Sequence, residues 1–172
     1  MFKSGIGQDS HRISESTPNH PLLLGGITLP ADFSLEGNSD SDVVLHAITN
    51  AISGITGRPV LGPVADEMCK AGITNSIAYL SEARSDLQAL GYRITHVSVT
   101  LECRRPKLIA HFPAMRAKVS ELLGLGQNDV AFTATSGEGL TEFGKGEGVQ
   151  AFAVVSAVEK NFLELFRLNS NQ

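Results

Sequence analysis

Asp9 and His11 stand two residues apart in GIGQDSHRI (Gly5–Ile13), a stretch whose alternation reads as an opening strand. Two steps along a strand return to the same face, so a carboxylate and an imidazole point the same way. Further on, NSDSDVVLH (Asn38–His46) sets Asp42 and His46 four apart on one face of an expected helix. Asp9 and His11 from a strand and His46 from a helix make three N/O ligands, and with one open position they form the donor set of a catalytic zinc-type ion. Asp42, one turn before His46, is placed to accept that imidazole's second ring N–H and orient it. Taken alone, the first pair suits a solvated strand end and the second a surface helix pair. The aliphatic residues around Asp42 and His46 favour the ion, because an unpaired charge is costly among them.

Two further stretches carry polar groups suited to phosphate. TATSGEGLTEFGKGEGV (Thr133–Val149) contains Gly139, Gly144 and Lys145 at the spacing that opens a P-loop. Gly146 stands where Ser or Thr belongs, and the run leads into a strand rather than a helix, so a P-loop is excluded. A glycine-rich turn with Thr135, Ser136, Glu138 and Lys145 can still wrap anionic oxygens with backbone N–H groups; the plainer reading is a long flexible loop. RRPKLIAHFP (Arg104–Pro113) sets three cations before an expected helix, either a solvated entrance or an edge that holds phosphate.

These residues need elements to hold them. PLLLGGITLP (Pro21–Pro30) reads as two short strands around a Gly-Gly turn. Ser39–Gly57 reads as a well-buried helix, capped by Ser39 or Ser41, with Asp42 in its first turn and Gly57 ending it. A second helix is expected over Ser76–Leu90, a strand over Arg93–Cys103 with one ambiguous step at His96 and Val97, and a third helix from Pro106 to near Gly124. Strands over Asp129–Ser136 and Val149–Val158 complete the pattern. Interleaved strands and helices predict an α/β (α+β) fold, a mixed sheet with helices stacked on one face.

The chain has 172 residues, which predicts one domain over residues 2–158 and a tail, 159–172, able to form a short helix. With 14 basic and 18 acidic residues the net charge is −4, against the basic field that nucleic-acid or membrane-surface binding needs. Two cysteines, Cys69 and Cys103, are too few for a Cys-rich zinc site or a disulfide framework. Neither an apolar leader nor a run of membrane-spanning length is visible, so a cytoplasmic protein is expected.

Five pieces, GIGQDSHR, LLLGGITLP, NSDSDVVLHAITNAI, VSVTLECRRPKLIAHFPAMR and ATSGEGLTEFGKGEGVQAFAVV, together resemble the 2-C-methyl-D-erythritol 2,4-cyclodiphosphate synthase family. They follow in the family's order over Gly5–Val158, weakest near Val60–Ile73. The resemblance implies a homotrimer with active sites between subunits, a Zn2+ ion on Asp9, His11 and His46, and Mg2+ or Mn2+ held by Glu138 against the diphosphate. The implied substrate is 4-diphosphocytidyl-2-C-methyl-D-erythritol 2-phosphate of the non-mevalonate isoprenoid pathway. Its 2-phosphate attacks the β-phosphorus, CMP leaves and the cyclic diphosphate forms. By the same resemblance, Asn38 and Ser136 support the reacting phosphates, Ser39, Asp42, Asp66 and Lys145 face the substrate, and Thr135 with Cys103, Pro106, Lys107, Leu108 and Ile109 form the cytidine-phosphate wall.

The chain departs from the family's pattern at four places. Asn38 stands for the histidine of the common HSDGD motif, and asparagine donates a hydrogen bond but carries no charge. Ser136 stands for threonine, and Lys145 for an arginine, which loses bidentate geometry. VLGPVADEMCKAGITNS replaces the DIG…FPD region, with Asp66 at its carboxylate position. Asn38 and the altered loop motivate one alternative, a non-catalytic trimer that binds metal and cytidine nucleotide; a further alternative is a metal-dependent phosphohydrolase giving a linear product.

Overall fold

The alternation of the first residues becomes β1 (Phe2–Ser14), the strand on which the rest is built. In the computed structural model, which describes residues 1–15 and 21–162, it is followed by β2 (Leu22–Leu24), β3 (Ile27–Leu29) and β4 (Ser34–Leu35). Helices α1 (Val43–Thr56), α2 (Pro63–Lys70) and α3 (Ser76–Ala89) come next, then β5 (Tyr92–Glu102) and α4 (Phe112–Leu123). β6 (Val130–Thr135), the single-turn α5 (Glu142–Lys145) and β7 (Gly148–Glu159) complete the chain.

The main sheet runs β4-β1-β7-β5-β6, with β5 and β6 parallel and every other neighbouring pair antiparallel. It is therefore mixed, and its helices cover one face, as the interleaved pattern predicts. β2 and β3 pair separately around Gly25 and Gly26, whose φ values of 65° and 77° supply the left-handed conformation a two-residue turn needs. Alternation sorts the faces of β1. Gly5 and Gly7 are buried under α1, whereas Phe2 and Ile6 are 68% and 69% exposed on the opposite side. Phe152 and Val154 of β7 share that open face.

Four expectations change. Asp42, not Ser39 or Ser41, caps α1, because its carboxylate accepts the N–H groups of Val44 and Leu45. The helix expected from Pro106 begins at Phe112, with Pro113 in its first turn, and Pro106 instead follows a cis peptide bond in a loop. Residues Pro63–Lys70, read only as a departure from a pattern, form α2. The ambiguous step at His96 is a register irregularity between Ile94 and His96, which restores Val97, Val99 and Leu101 to the buried face. Residues 163–172 of the expected tail helix lie outside the described residues. Among the described residues, no helix is long and apolar enough to cross a membrane.

Candidate metal centre and nucleotide pocket

β1 presents Asp9 and His11 toward α1, and the first turns of α1 carry His46 over them. Asp9 Oδ2 lies 2.9 Å from His46 Nδ1 and 3.0 Å from His11 Nε2, and the two ring nitrogens are 3.1 Å apart. Ligands about 2.1 Å from a tetrahedral zinc ion stand about 3.4 Å from one another. The three atoms thus form a slightly contracted face of such a tetrahedron.

The outer hydrogen bonds decide where the ring protons sit. His11 Nδ1 donates to the carbonyl oxygen of Glu36 at 2.6 Å, which leaves Nε2 without a proton. His46 Nε2 lies 2.8 Å from Ser76 Oγ, and Ser76 Oγ donates to Asp40. With its one proton committed there, Ser76 can only accept from His46, so Nε2 carries the proton and Nδ1 is bare. Three lone pairs then converge within 3.1 Å, an arrangement that only a cation or added protons relieve. The donor set fits zinc. Burial alone would raise Asp9, but when the two imidazoles take up added protons, their hydrogen bonds and charges outweigh it and hold the carboxyl down at about 2. Burial alone would lower His11, yet the hydrogen bond and charge of Asp9 raise it above its ordinary value.

Asp42 does not orient His46. Its carboxylate accepts four backbone N–H groups, from Val44, Leu45, Gly25 and Gly26, and the residue is 1% exposed. Burial pushes its carboxyl above the usual value, against the pull of these donors. The orienting expectation for Asp42 is corrected, since its carboxylate is bonded to these backbone N–H groups and not to His46. Ser39, half-buried, has its Oγ 3.4 Å from His46 Nε2 and accepts the Ser41 N–H at 3.1 Å. Asn38 is exposed beside it, and its carbonyl oxygen accepts from Cys69 Sγ at 3.8 Å. Asp66 is exposed on the same face of α2 as Cys69, three residues earlier.

A second cluster forms where β5 and β6 end. Cys103, Arg104, Pro106, Lys107, Leu108, Ile109, Ala134, Thr135 and Ser136 line a pocket of about 200 Å³. All six residues expected in the cytidine-phosphate wall are among them. Leu108 and Cys103 are buried and make the wall apolar, and burial with the Glu102 charge pushes the Cys103 thiol up to about 11. Glu138 projects from the adjoining turn at a left-handed φ of 49°, and its carboxylate accepts from Ser136 Oγ at 3.4 Å. That turn is held by Glu102, which accepts from Thr141 Oγ1 and leaves no room for a Cβ on Gly137. Lys145 does not line that pocket, although its carbonyl oxygen accepts from Arg104, which does. It pairs with Glu142 at 2.6 Å and lines a different cavity with Glu15, Arg104, Arg105, Gly146 and Glu147.

The two clusters lie on different strands. Asp9 pairs with Ala151, Ala151 with Leu101, and Leu101 with Ala134. Two inter-strand steps reach β5 and three reach β6, so the pocket where those strands end lies about 10–14 Å across the sheet from the metal trio. Sequence reasoning missed Glu36, Asp40 and Ser76 around the histidines, and Gly5 and Gly7 beneath them. Only the glycines carried a signal, small residues alternating on the face of Asp9.

Known proteins share this arrangement of elements. The YgbB family profile matches residues 2–158. The 2-C-methyl-D-erythritol 2,4-cyclodiphosphate synthase of Chlamydia muridarum is 47% identical over 160 residues, covering 92% of this chain and 89% of that one. Its counterpart from Chlamydia trachomatis serovar L2 is 45% identical over the same shares. A solved structure of 2C-methyl-D-erythritol-2,4-cyclodiphosphate synthase in its CDP-bound form superposes with a TM-score of 0.78 at 30% identity, covering 91% of this chain and all of that one.

Proposed function

The chain belongs to the YgbB family, and we propose that it converts 4-diphosphocytidyl-2-C-methyl-D-erythritol 2-phosphate to 2-C-methyl-D-erythritol 2,4-cyclodiphosphate, releasing CMP. The observation that carries this reading is the convergence of Asp9, His11 and His46 with three bare lone pairs. In this reading they hold Zn2+, and Glu138 holds Mg2+ or Mn2+. Bound there, such ions neutralise phosphate oxygens and remove the repulsion that keeps two polyanions apart.

The chain's own residues bind and align. The apolar wall at Cys103 and Leu108 takes the cytidine, and Lys107 offers its cation to the phosphate beside it. Thr135 and Ser136 donate hydroxyl hydrogen bonds to the diphosphate. Ser39, through its hydroxyl, and Asn38, through its side-chain amide N–H, donate at the mouth of the metal trio, and Asp66 from α2 faces the methylerythritol hydroxyls. The nucleophile is the substrate's own 2-phosphate, so no side chain need form a covalent bond. Attack on the β-phosphorus breaks its bond to the bridging oxygen, which departs on CMP. Lys145, 2.6 Å from Glu142, offers its cation to the substrate from the cavity that adjoins the pocket at Arg104.

The same reading includes a homotrimer whose sites are completed between subunits, and a cytoplasmic location. The open sheet face bearing Phe2, Ile6, Phe152 and Val154 supports the trimer, because exposed apolar side chains gathered on one sheet face suit an interface. The two to three strands of sheet between trio and pocket support a site drawn from two chains.

The test is to supply the substrate with zinc and magnesium, measure CMP, and follow the product by phosphorus NMR. Metal-dependent CMP release with a cyclic product, abolished in His46→Ala, is expected. Tight CMP binding without turnover would make the protein a binding module, a reading that the uncharged Asn38 favours. A linear product would make it a phosphohydrolase.

A further inference from the structure

We propose that Asp40 and Ser76 form a relay that fixes the tautomer and orientation of His46, making them positioning residues for the metal site. The proposal rests on the metal reading above and names what performs the task that spacing alone gives to Asp42.

Ser76 is fully buried, at 0% exposure, at the start of α3. It does not cap its helix, since Asn75 does so by accepting the Ile77 N–H at 2.8 Å. Its hydroxyl is thus free for another task. The Ser76 N–H donates to Asp40 Oδ2 at 3.0 Å, and the Ser76 hydroxyl donates to Asp40 Oδ1. The Asp40 N–H in turn donates to the carbonyl oxygen of Thr74 at 2.9 Å. Asp40 and the entrance to α3 are therefore clamped by three hydrogen bonds.

The direction of this chain is forced. A carboxylate has no proton to give, so the single proton of Ser76 points to Asp40. The lone pairs left on Ser76 Oγ face His46 Nε2 at 2.8 Å, and that nitrogen must be the donor. Nδ1 is left bare toward Asp9 and His11, which is the state a metal ligand requires. Ser39 Oγ is a poorer acceptor, 3.4 Å away and engaged with the Ser41 N–H. Tyr79, one turn further along α3, sets its ring 6.1 Å from the imidazole.

Three variants test the relay by zinc affinity, measured by competition with a chromophoric chelator, and by the visible spectrum of the cobalt(II)-loaded protein. Ser76→Ala is expected to weaken zinc binding about 10- to 100-fold and to change the cobalt bands. Ser76→Thr, which keeps the hydroxyl, is expected to restore affinity to within a few-fold of the parent. Asp40→Asn is the sharpest case. Its amide can donate to Ser76 Oγ, which turns the serine proton toward His46 Nε2 and moves the imidazole proton onto Nδ1. Zinc affinity should then fall about tenfold although size and shape are unchanged. Melting of the metal-free variants checks that each is folded. Ser76→Ala and Asp40→Asn that are folded and bind zinc within about 3-fold of the parent would overturn the relay alone. A parent protein that takes up no zinc would overturn the metal reading and the relay with it.

Discussion

Gly7 and Ala47 meet backbone to backbone: a Cβ added to Gly7 would lie 2.1 Å from the Ala47 carbonyl oxygen. Gly5 repeats the contact one turn later, where a Cβ would lie 2.0 Å from Ala51 O. Asp9 follows Gly7 by two residues on the same face of β1, and His46 precedes Ala47 in α1. The missing side chains let the helix sink onto the strand until His46 Nδ1 reaches Asp9 Oδ2 at 2.9 Å. Gly7→Ala must push helix and strand apart, because the three nearest atoms, Ala47 O, Ala51 N and Asn50 C, are all backbone. Overpacking of this kind is expected to lower stability by about 3 kcal/mol. Zinc affinity should fall as well, measured in whatever fraction remains folded. Urea melts that match the parent would show that the contact is not tight.

The metal-free protein should lose stability as pH rises, and the zinc-loaded protein should not. His11 is raised above its ordinary value of 6.5. Its contribution is fully present below pH 6.5 and disappears as pH climbs through the raised value. Asp9, held at about 2 against an ordinary 3.8, contributes above pH 3.8 and loses that contribution as pH falls through about 2. The Asp9 shift corresponds to about 2 kcal/mol. Zinc displaces protons from these groups, so its affinity rises with pH and reverses the slope above neutrality. At 100 times its dissociation constant it adds about 2.7 kcal/mol. Melting temperatures in chelator and in zinc between pH 5 and 9, crossing as described, are the check; parallel curves would remove the trio from the linkage.

The sequence made part of this site legible and hid the rest for physical reasons. Alternation puts Asp9 and His11 on one face, and aliphatic neighbours put His46 inside, so the three ligands could be read from local pattern alone. Asp42 was misread because helical spacing shows which residues share a face but not what packs before the helix. That place is taken by the turn at Gly25 and Gly26, whose N–H groups occupy the carboxylate. Ser76 was invisible because 30 residues separate it from His46, and a serine opening a helix looks like an ordinary cap. Pro106 and Pro113 carry the same helix-start signal, and the chain uses the second.

Asp42→Ala should be among the most destabilising substitutions near the site. It removes the cap of α1, worth about 1 kcal/mol, and strands buried N–H groups of the hairpin turn at about 1–3 kcal/mol more. A total loss of roughly 3 kcal/mol is expected from chemical denaturation. Asp42→Asn keeps one acceptor oxygen and should lose less. Its zinc affinity should stay within a few-fold of the parent, because no oxygen of Asp42 touches His46. A tenfold weakening in a folded Asp42→Asn protein would restore the orienting role that the hydrogen bonds assign to Ser76.

The open sheet face separates metal binding from turnover. Ile6 and Val154 pair across β1 and β7 and are 69% and 41% exposed. If that face joins subunits, Ile6→Glu sets a charge in an apolar interface and should give monomers by light scattering. The metal trio comes from one chain, so the monomer should still take up zinc with parent affinity. The pocket lies about 10–14 Å across the sheet from the trio, and a site shared between chains would be broken by dissociation. CMP release should therefore fall at least 100-fold while zinc binding persists. A zinc-loaded monomer that cyclises substrate at the parent rate would show that one chain supplies both halves. A trimer that survives Ile6→Glu, with Phe152 and Val154 similarly tolerant of charge, would place the subunit contact elsewhere.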